Sequence, residues 1–372
     1  MRRLILLQYL LVVLVTTGCA QDRIVEELGF IHSIGYDLNE AENAKKEGVL
    51  IITAAFPQVA PTAKSDREML TTVAHTSKEG KAIMARKTER ILVSGQLRTA
   101  LFSNQLAEIG ILDTIDTLKR DHTIGLNVKI ITVNGSTKEL LFDEYPNHPR
   151  TDRYIYELIE KDAQTHVTVD TSLYHFLRDY HDDGIDPITP YIKQGSDEII
   201  IDGIALYKGD RFVYNLDPKA SRVFKMLHGE YLGGDITTEI DLQNEEKKDY
   251  LYITFSTLES SRKVNVQSPS QITINIEVKG DIEEYTGQLE LSDDEVQKEI
   301  ERKLAKFIEK SSEKIIEIMQ EHHIDNLGIG QYVRNSCNYK EWKEMNWSEE
   351  VYPEAEINVN VIAKLKGFGS VK

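Results

Sequence analysis

The longest periodic stretch of the chain, from Ser292 to about His323, dictates what must surround it. Ser292 followed by Glu295 has the form of a capping box, in which the Ser side chain and the Glu side chain satisfy each other's backbone N–H groups. Val296, Ile300, Leu304, Phe307, Ile308, Ile315 and Met319 then recur at helical spacing. At 1.5 Å per residue such a helix is roughly 45 Å long, and its apolar stripe has to be covered. A coiled-coil partner is one cover, but Ser311 and Ser312 interrupt the seam. A sheet is the simpler one. Ile272, Ile274, Ile276 and Val278 alternate with Thr273, Asn275 and Glu277, and Ile357, Val359, Val361, Ala363 and Leu365 alternate again. Residues 261–372 therefore read as strand, long helix, strand, with the helix packed on the sheet. Gly328 and Gly330 end the helical region.

The opposite end of the chain decides its compartment. Arg2 and Arg3 precede an apolar run from Leu4 to Val15, broken by Gln8 and Tyr9, and Thr16, Thr17 and Gly18 lead to Cys19. A charged start, a short apolar core and small residues are the parts of a secretory signal. The run is about a dozen residues, short of the roughly 20 that a membrane span needs. Gly18-Cys19 at its end has the form of a lipobox. The expectation is cleavage between Gly18 and Cys19, a signal peptide over 1–18, and S-diacylglyceryl and N-acyl groups on Cys19. Acyl chains in that number are what stable anchoring requires.

Composition narrows the partners. The 372 residues carry a net charge of −17. Arg2 and Arg3 are the only charges before Cys19, so a processed chain is near −19. Such a surface is repelled by nucleic acid and by anionic headgroups, so attachment is expected from lipid on Cys19 and not from a basic patch. The two cysteines are Cys19 and Cys337. With Cys19 lipidated, Cys337 has no disulfide partner in the chain and reads as a half-buried structural residue.

Taken in order, Leu28–Asp37 reads as a strand, with Val49–Phe56 as its hairpin partner and 57–66 as a loop. Ser77–Arg90 reads as a helix, Ile91–Val93 as a short strand, and Arg98–Ile109 and Thr114–Lys119 as helices separated by Gly110. Asn127–Val133 reads as a strand; Thr137–Phe142, Tyr154–Asp162 and Leu173–Tyr180 read as helices. This order predicts an α/β (α+β) layer over 19–195. Asp182–Gly195, with two prolines and two glycines, reads as a domain boundary. Residues 196–260 follow as a small β-rich unit, with a hairpin of Ile199–Tyr207 and Arg211–Leu216, a helical turn at Val223–Leu227 and a strand at Tyr250–Phe255. The expected whole is an elongated three-domain protein of mixed sheets with helices.

A search for chemistry finds no nucleophile elbow, no H-E-x-x-H and no P-loop. His175 and His181 are six apart and fall on different helix faces. Asp182–Asp186 does not follow a calcium loop and reads as a solvated acidic loop. No metal, cofactor or catalytic set is expected, and the chain reads as a non-enzyme.

Six short motifs, in order, carry a resemblance. They are Gly18-Cys19; Ile34-Gly35-Tyr36-Asp37; Glu89–Ile111 with Ser103–Gly110 inside it; Lys119-Arg120-Asp121; Asp325-Asn-Leu-Gly328-Ile-Gly330; and Trp342, Trp347 and Pro353 before the last alternating strand, with Gly367 after it. Together they resemble the Ger(x)C family, the lipoprotein C subunits of bacterial spore nutrient germinant receptors. The resemblance implies assembly with integral-membrane A and B subunits on the extracytoplasmic face of the spore inner membrane, anchored in the lipid bilayer through Cys19; the acidic charge already speaks against a nucleic-acid partner. It leaves Arg120 and Asp121 with two readings, a local ion pair or a partner contact. The competing class is a solute-binding lipoprotein of a transport system, which would have two similar doubly wound lobes.

Overall fold

The computed structural model describes residues 27–41, 49–58, 67–165, 167–229, 233–241, 250–286 and 290–367. The expected signal peptide and Cys19 lie outside them. Among the described residues the chain is a mixed α/β protein with three sheets, of two, eight and four strands.

Strand β1 (Leu28–Phe30) pairs in parallel with β5 (Ile91–Val93). The large sheet takes β2 (Ser33–Leu38), β3 (Leu50–Pro57), β4 (Arg67–Ala74), β6 (Thr99–Ser103), β7 (Lys129–Asn134), β8 (Ile188–Gln194), β9 (Ile199–Lys208) and β10 (Arg211–Leu216). Its order is β10-β9-β8-β7-β6-β2-β3-β4. The four central strands β2, β6, β7 and β8 are parallel, and an antiparallel hairpin extends each side. Helices cover both faces, as a sheet with a parallel centre requires. On one face lie α1 (Ser77–Met84), α2 (Asn104–Ile109), α3 (Leu112–Arg120) and α6 (Leu173–His181), around Tyr36, Phe102, Ile115 and Phe176. On the other lie α4 (Thr137–Phe142) and α5 (Thr151–Thr165), around Leu101, Ile131, Leu141 and Ile155.

The sequence misleads in three places here. Thr99–Ser103 is a fully buried strand and not the start of a helix; a strand buried on both faces has no alternation to betray it. Leu28–Asp37 is two strands, because the chain leaves β5 at Ile31 and joins the large sheet at Ser33. The boundary expected over 182–195 contains β8, and β8 and β9 pair from Gln194↔Ile199 across a tight turn. The described strands of 196–260 are thereby divided between the eight-stranded and the four-stranded sheet.

Helix α7 (Pro218–His228) starts behind an Asp217 cap, with Pro218 in its first turn. It leads to the four-stranded sheet: β11 (Gly234–Asp241), β12 (Tyr250–Ser268), β13 (Gln271–Tyr285) and β14 (Glu356–Gly367). The long helix α8 (Asp294–Glu321) crosses from β13 to β14, which run parallel. Its cap is Asp293, whose carboxylate accepts from Glu295 N and Val296 N, one residue beyond the expected Ser292. Ile300, Leu304, Ile308, Ile315 and Met319 are buried on the sheet. Two short helices, α9 (Ile329–Ser336) and α10 (Tyr339–Met345), follow where only a break was expected.

Helix α8 also closes the outer edge of the sheet. Glu309 Oε1 accepts from Val361 N at 3.0 Å and Glu301 Oε1 accepts from Leu365 N at 2.8 Å. Eight helical residues rise about 12 Å and four strand residues about 13 Å, so the two glutamates match alternate free N–H groups of β14. The two large sheets share one core. Ile188, Ile204 and Leu206 of the first belong to the same buried cluster as Phe224, Ile274, Leu304, Trp347 and Tyr352.

Candidate functional site

The motifs singled out in the sequence resolve into three anchor points, and the last of them joins the two sheets. In Ile34-Gly35-Tyr36-Asp37 the alternation of β2 sends Tyr36 to one face and Asp37 to the other. The Tyr36 hydroxyl shares a 2.8 Å hydrogen bond with Ser77 Oγ at the start of α1, and burial pushes its pKa well up. The Asp37 carboxylate accepts from Thr137 N at 2.6 Å, Lys138 N at 2.9 Å and Thr137 Oγ1 at 2.9 Å, holding the first turn of α4. Gly35 is required by this docking, because a Cβ there would stand 2.4 Å from Thr137 Oγ1. Burial raises the Asp37 pKa, opposed by these donors.

The second point is Ser103–Gly110. Ser103 Oγ caps α2 by accepting from Leu106 N. The link after Gly110 is pinned by Asp210 in the β9–β10 turn, whose carboxylate accepts from Leu112 N at 2.9 Å and whose carbonyl accepts from Ile111 N at 3.2 Å.

The third point is Asp325–Gly330, between α8 and α9. Asp325 is 1% exposed. Its Oδ1 accepts from Ile329 N at 2.9 Å; its Oδ2 accepts from Gly330 N at 2.6 Å and from Trp347 Nε1 at 3.0 Å. The same residue reaches the large sheet through its backbone. Asp325 N donates to Asp186 Oδ2 at 2.9 Å, and Asp186 N donates to Asp325 O at 3.0 Å. Asn326 Nδ2 adds bonds to Pro187 O and Tyr207 O. Gly184 and Gly330 let the two backbones meet: a Cβ on Gly184 would lie 2.6 Å from Gly330 C.

Charged side chains close the rim. Arg334 Nη1 bonds Asp182 Oδ1 at 2.5 Å, and Lys343 Nζ bonds Asp183 Oδ2 at 2.7 Å. The segment read as a solvated acidic loop is thus a paired edge of this junction. The Lys343 ammonium holds the Asp183 carboxyl below its usual range. Burial pushes Asp325 up to about 6, against the pull of its three donors, and burial also raises Asp186. Arg262, lowered by burial, donates to His228 O and Leu327 O beside them. Trp342 and Trp347 are buried and adjacent, with ring centres 6.3 Å apart.

Arg120 and Asp121 do not pair with each other. Arg120 is mostly exposed and bonds Asp116 Oδ2 at 2.7 Å along its own helix; Asp121 accepts from Thr123 N and Thr123 Oγ1. His175 Nδ1 lies 3.3 Å from Asp170 O, and His323 Nδ1 lies 3.3 Å from Glu349 Oε2. Cys337 is half-buried, with Sγ 3.7 Å from Arg334 O. Among the described residues no three His, Cys, Asp or Glu side chains gather as metal ligands, and no helix is long and apolar enough to cross a membrane. In the sequence Asp186 reads only as the end of a solvated acidic loop. The signal available was its place beside Gly184 and Pro187, which reads as a turn and carries no mark of a partner 139 residues away.

Two family models cover most of the chain. The spore germination protein N-terminal domain matches residues 21–194, and the spore germination B3/GerAC-like C-terminal model matches 202–369. The chain belongs to the GerAC-like family of spore germination proteins. The residues between the two matches, 195–201, cover the β8–β9 turn and the start of β9, within the large sheet. Among curated relatives, the spore germination protein GerQC of Bacillus cereus is 25% identical over 372 residues, covering 99% of each chain. The putative spore germination protein YfkR of Bacillus subtilis (strain 168) is 21% identical, covering 97% of this chain and 95% of that one. The crystal structure of the GerBC protein superposes with a TM-score of 0.55 at 14% identity, covering 92% of this chain and all of that one, and shares the fold.

Proposed function

We propose that this spore germination protein is the lipid-anchored, non-enzymatic C subunit of a nutrient germinant receptor. In this reading Cys19, at the end of the apolar leader, carries the lipid. The folded part stands on the extracytoplasmic face of the spore inner membrane, beside integral-membrane A and B subunits. The observation that carries the reading is the end-to-end match to a spore germination protein, on a chain that starts with a lipobox-like Gly18-Cys19. The motifs lend support. Asp37, Asp325 and Trp347 are engaged in holding elements together, as suits a scaffold better than a catalyst. A solute-binding lipoprotein with two similar lobes fits less well, because one sheet has eight strands with a parallel centre and the other has four.

The test is purification of the full-length chain from solubilised spore membranes. The reading expects a mature N-terminal peptide beginning at Cys19 with the mass of a diacylglyceryl group, and co-purification of the A and B proteins. A free Cys19 thiol, or a protein that leaves the membrane with salt alone, contradicts it.

A further inference from the structure

One end of the large sheet stands out in this acidic chain. Between Lys78 and Arg98 there are six basic and two acidic residues, a local charge of +4 within a total of −17. The fold puts part of this segment beside Glu27 and Leu28, the first described residues. Because β1 and β5 are parallel and Leu28 pairs with Ile91, Arg90 lies at the same end as Glu27, with Arg86 and Lys87 just before it along edge strand β4, where Lys87 reaches Thr71. A Cβ on Gly29 would lie 3.3 Å from the Phe56 ring, Phe56 pairs with Glu68, and Glu68 lies 3.6 Å from Arg90. On the other face of that end, Arg67 Nη2 donates to Phe142 O at 2.9 Å.

Two large apolar side chains are exposed here, Ile91 at 43% and Phe142 at 47%. Arg86 and Lys87 are exposed between α1 and β5. Among the described residues neither has a carboxylate partner; the Lys87 ammonium donates to Thr71 O. The acidic residues at this end include Glu27, Glu68 and Glu89, of which the last two flank Arg90; Asp121, 3.9 Å from Lys81; Asp152 beside His32; and Asp143 and Glu144, which follow Phe142.

We propose that this end of the large sheet rests on the bilayer surface, with Arg86 and Lys87 against anionic phospholipid headgroups and Ile91 and Phe142 at the interface. The proposal builds on the reading that Cys19 is the anchor. Glu27 is eight residues from Cys19, a span of at most about 29 Å when extended. Basic side chains within a Debye length of an anionic leaflet are drawn to it, and exposed apolar side chains beside them favour the interface. The rest of the acidic surface is repelled, so the charge asymmetry orients a molecule that the lipid on Cys19 holds.

The experiment places an environment-sensitive fluorophore on full-length lipidated protein at Ile91→Cys, Phe142→Cys or Ile362→Cys, in a Cys337→Ser background. Ile362 is an exposed residue of β14. Each protein is reconstituted in vesicles of phosphatidylethanolamine and phosphatidylglycerol carrying headgroup spin labels. Quenching is expected at 91 and 142 and not at 362, and is expected to be lost in Arg86→Glu with Lys87→Glu while the protein stays vesicle-bound. Shielding of Lys87 from an amine-reactive reagent on vesicle binding, read by mass, requires no substitution. Equal quenching at all three positions, quenching that survives charge reversal, or an unshielded Lys87 overturns the proposal. A mature protein without lipid by mass overturns the anchor reading, and this orientation with it.

Discussion

Asp186 and Asp325 hold each other across the two sheets: each backbone N–H donates to an oxygen of the other residue, at 3.0 and 2.9 Å. The Asp325 carboxylate is buried and that of Asp186 half-buried, and both accept from backbone or indole N–H groups rather than from cations. A junction of this kind fixes orientation. Apart from the Trp347 indole, its donors are main-chain groups of α9, of the β9–β10 turn and of Asp325 itself, which cannot swing away as lysine or arginine side chains can.

Removing the Asp325 carboxylate leaves Ile329 N, Gly330 N and Trp347 Nε1 buried without an acceptor. Each such loss costs about 1–3 kcal/mol, so Asp325→Ala is expected to lose about 3 kcal/mol or more in chemical denaturation. A loss under about 1 kcal/mol would show that the junction is held elsewhere.

The junction also makes stability depend on pH. The folded-state pKa of Asp325, about 6, lies above its ordinary value of 3.8. The folded chain therefore binds the proton more tightly. The stability so gained is complete below 3.8 and is lost as pH rises through about 6. Compared with Asp325→Asn, which cannot titrate, the wild type is expected to gain up to about 3 kcal/mol as pH falls across that window. Unfolding curves for the two proteins that stay parallel across it would contradict this.

Gly184 has φ +92°, and a Cβ there would strike the Gly330 and Gln331 backbones. Gly184→Ala is expected to cost about 2 kcal/mol or more, and limited proteolysis should cut faster near Asp183 and Gln331. Unchanged stability and cleavage would mean that the two backbones do not meet. The rim ion pairs form a contrast. Lys343 and Asp183 are each about half exposed, and Lys343→Ala is expected to cost under about 1 kcal/mol.

The Glu301 and Glu309 side chains guard the outer edge of β14. The double change to Ala frees two edge N–H groups, and unpaired edges invite strand pairing between copies. The expected result is a modest stability loss of about 1 kcal/mol per bond, with concentration-dependent association in light scattering. A variant that stays monomeric at every concentration would argue that another feature blocks this edge.

The sequence exposes these relationships unevenly. Helix α8 and its two strands are legible because their periods, 3.6 and 2, persist over many residues. Thr99–Ser103 is not legible, since a strand buried on both faces shows no alternation and its polar caps sit next to helix formers. The acidic run Asp182–Asp186 looks solvated until Arg334 and Lys343, some 150 residues on, are seen to pair with it. The Asp325 motif is visible as a pattern, but its meaning depends on Trp347 and Asp186, which only the tertiary fold brings to it. Glu301 and Glu309 read as ordinary exposed helix residues, and no local pattern announces that they face a strand edge.

The measurement that tests the central claim most directly is germination of spores lacking this gene and its paralogues, complemented with wild type or with Cys19→Ala, on amino acids, sugars and nucleosides. The account predicts that wild type restores the response to one nutrient class and that Cys19→Ala restores little of it, with non-nutrient germination intact in every strain. Full nutrient responses without the gene, or full restoration by Cys19→Ala, would contradict a lipid-anchored receptor subunit.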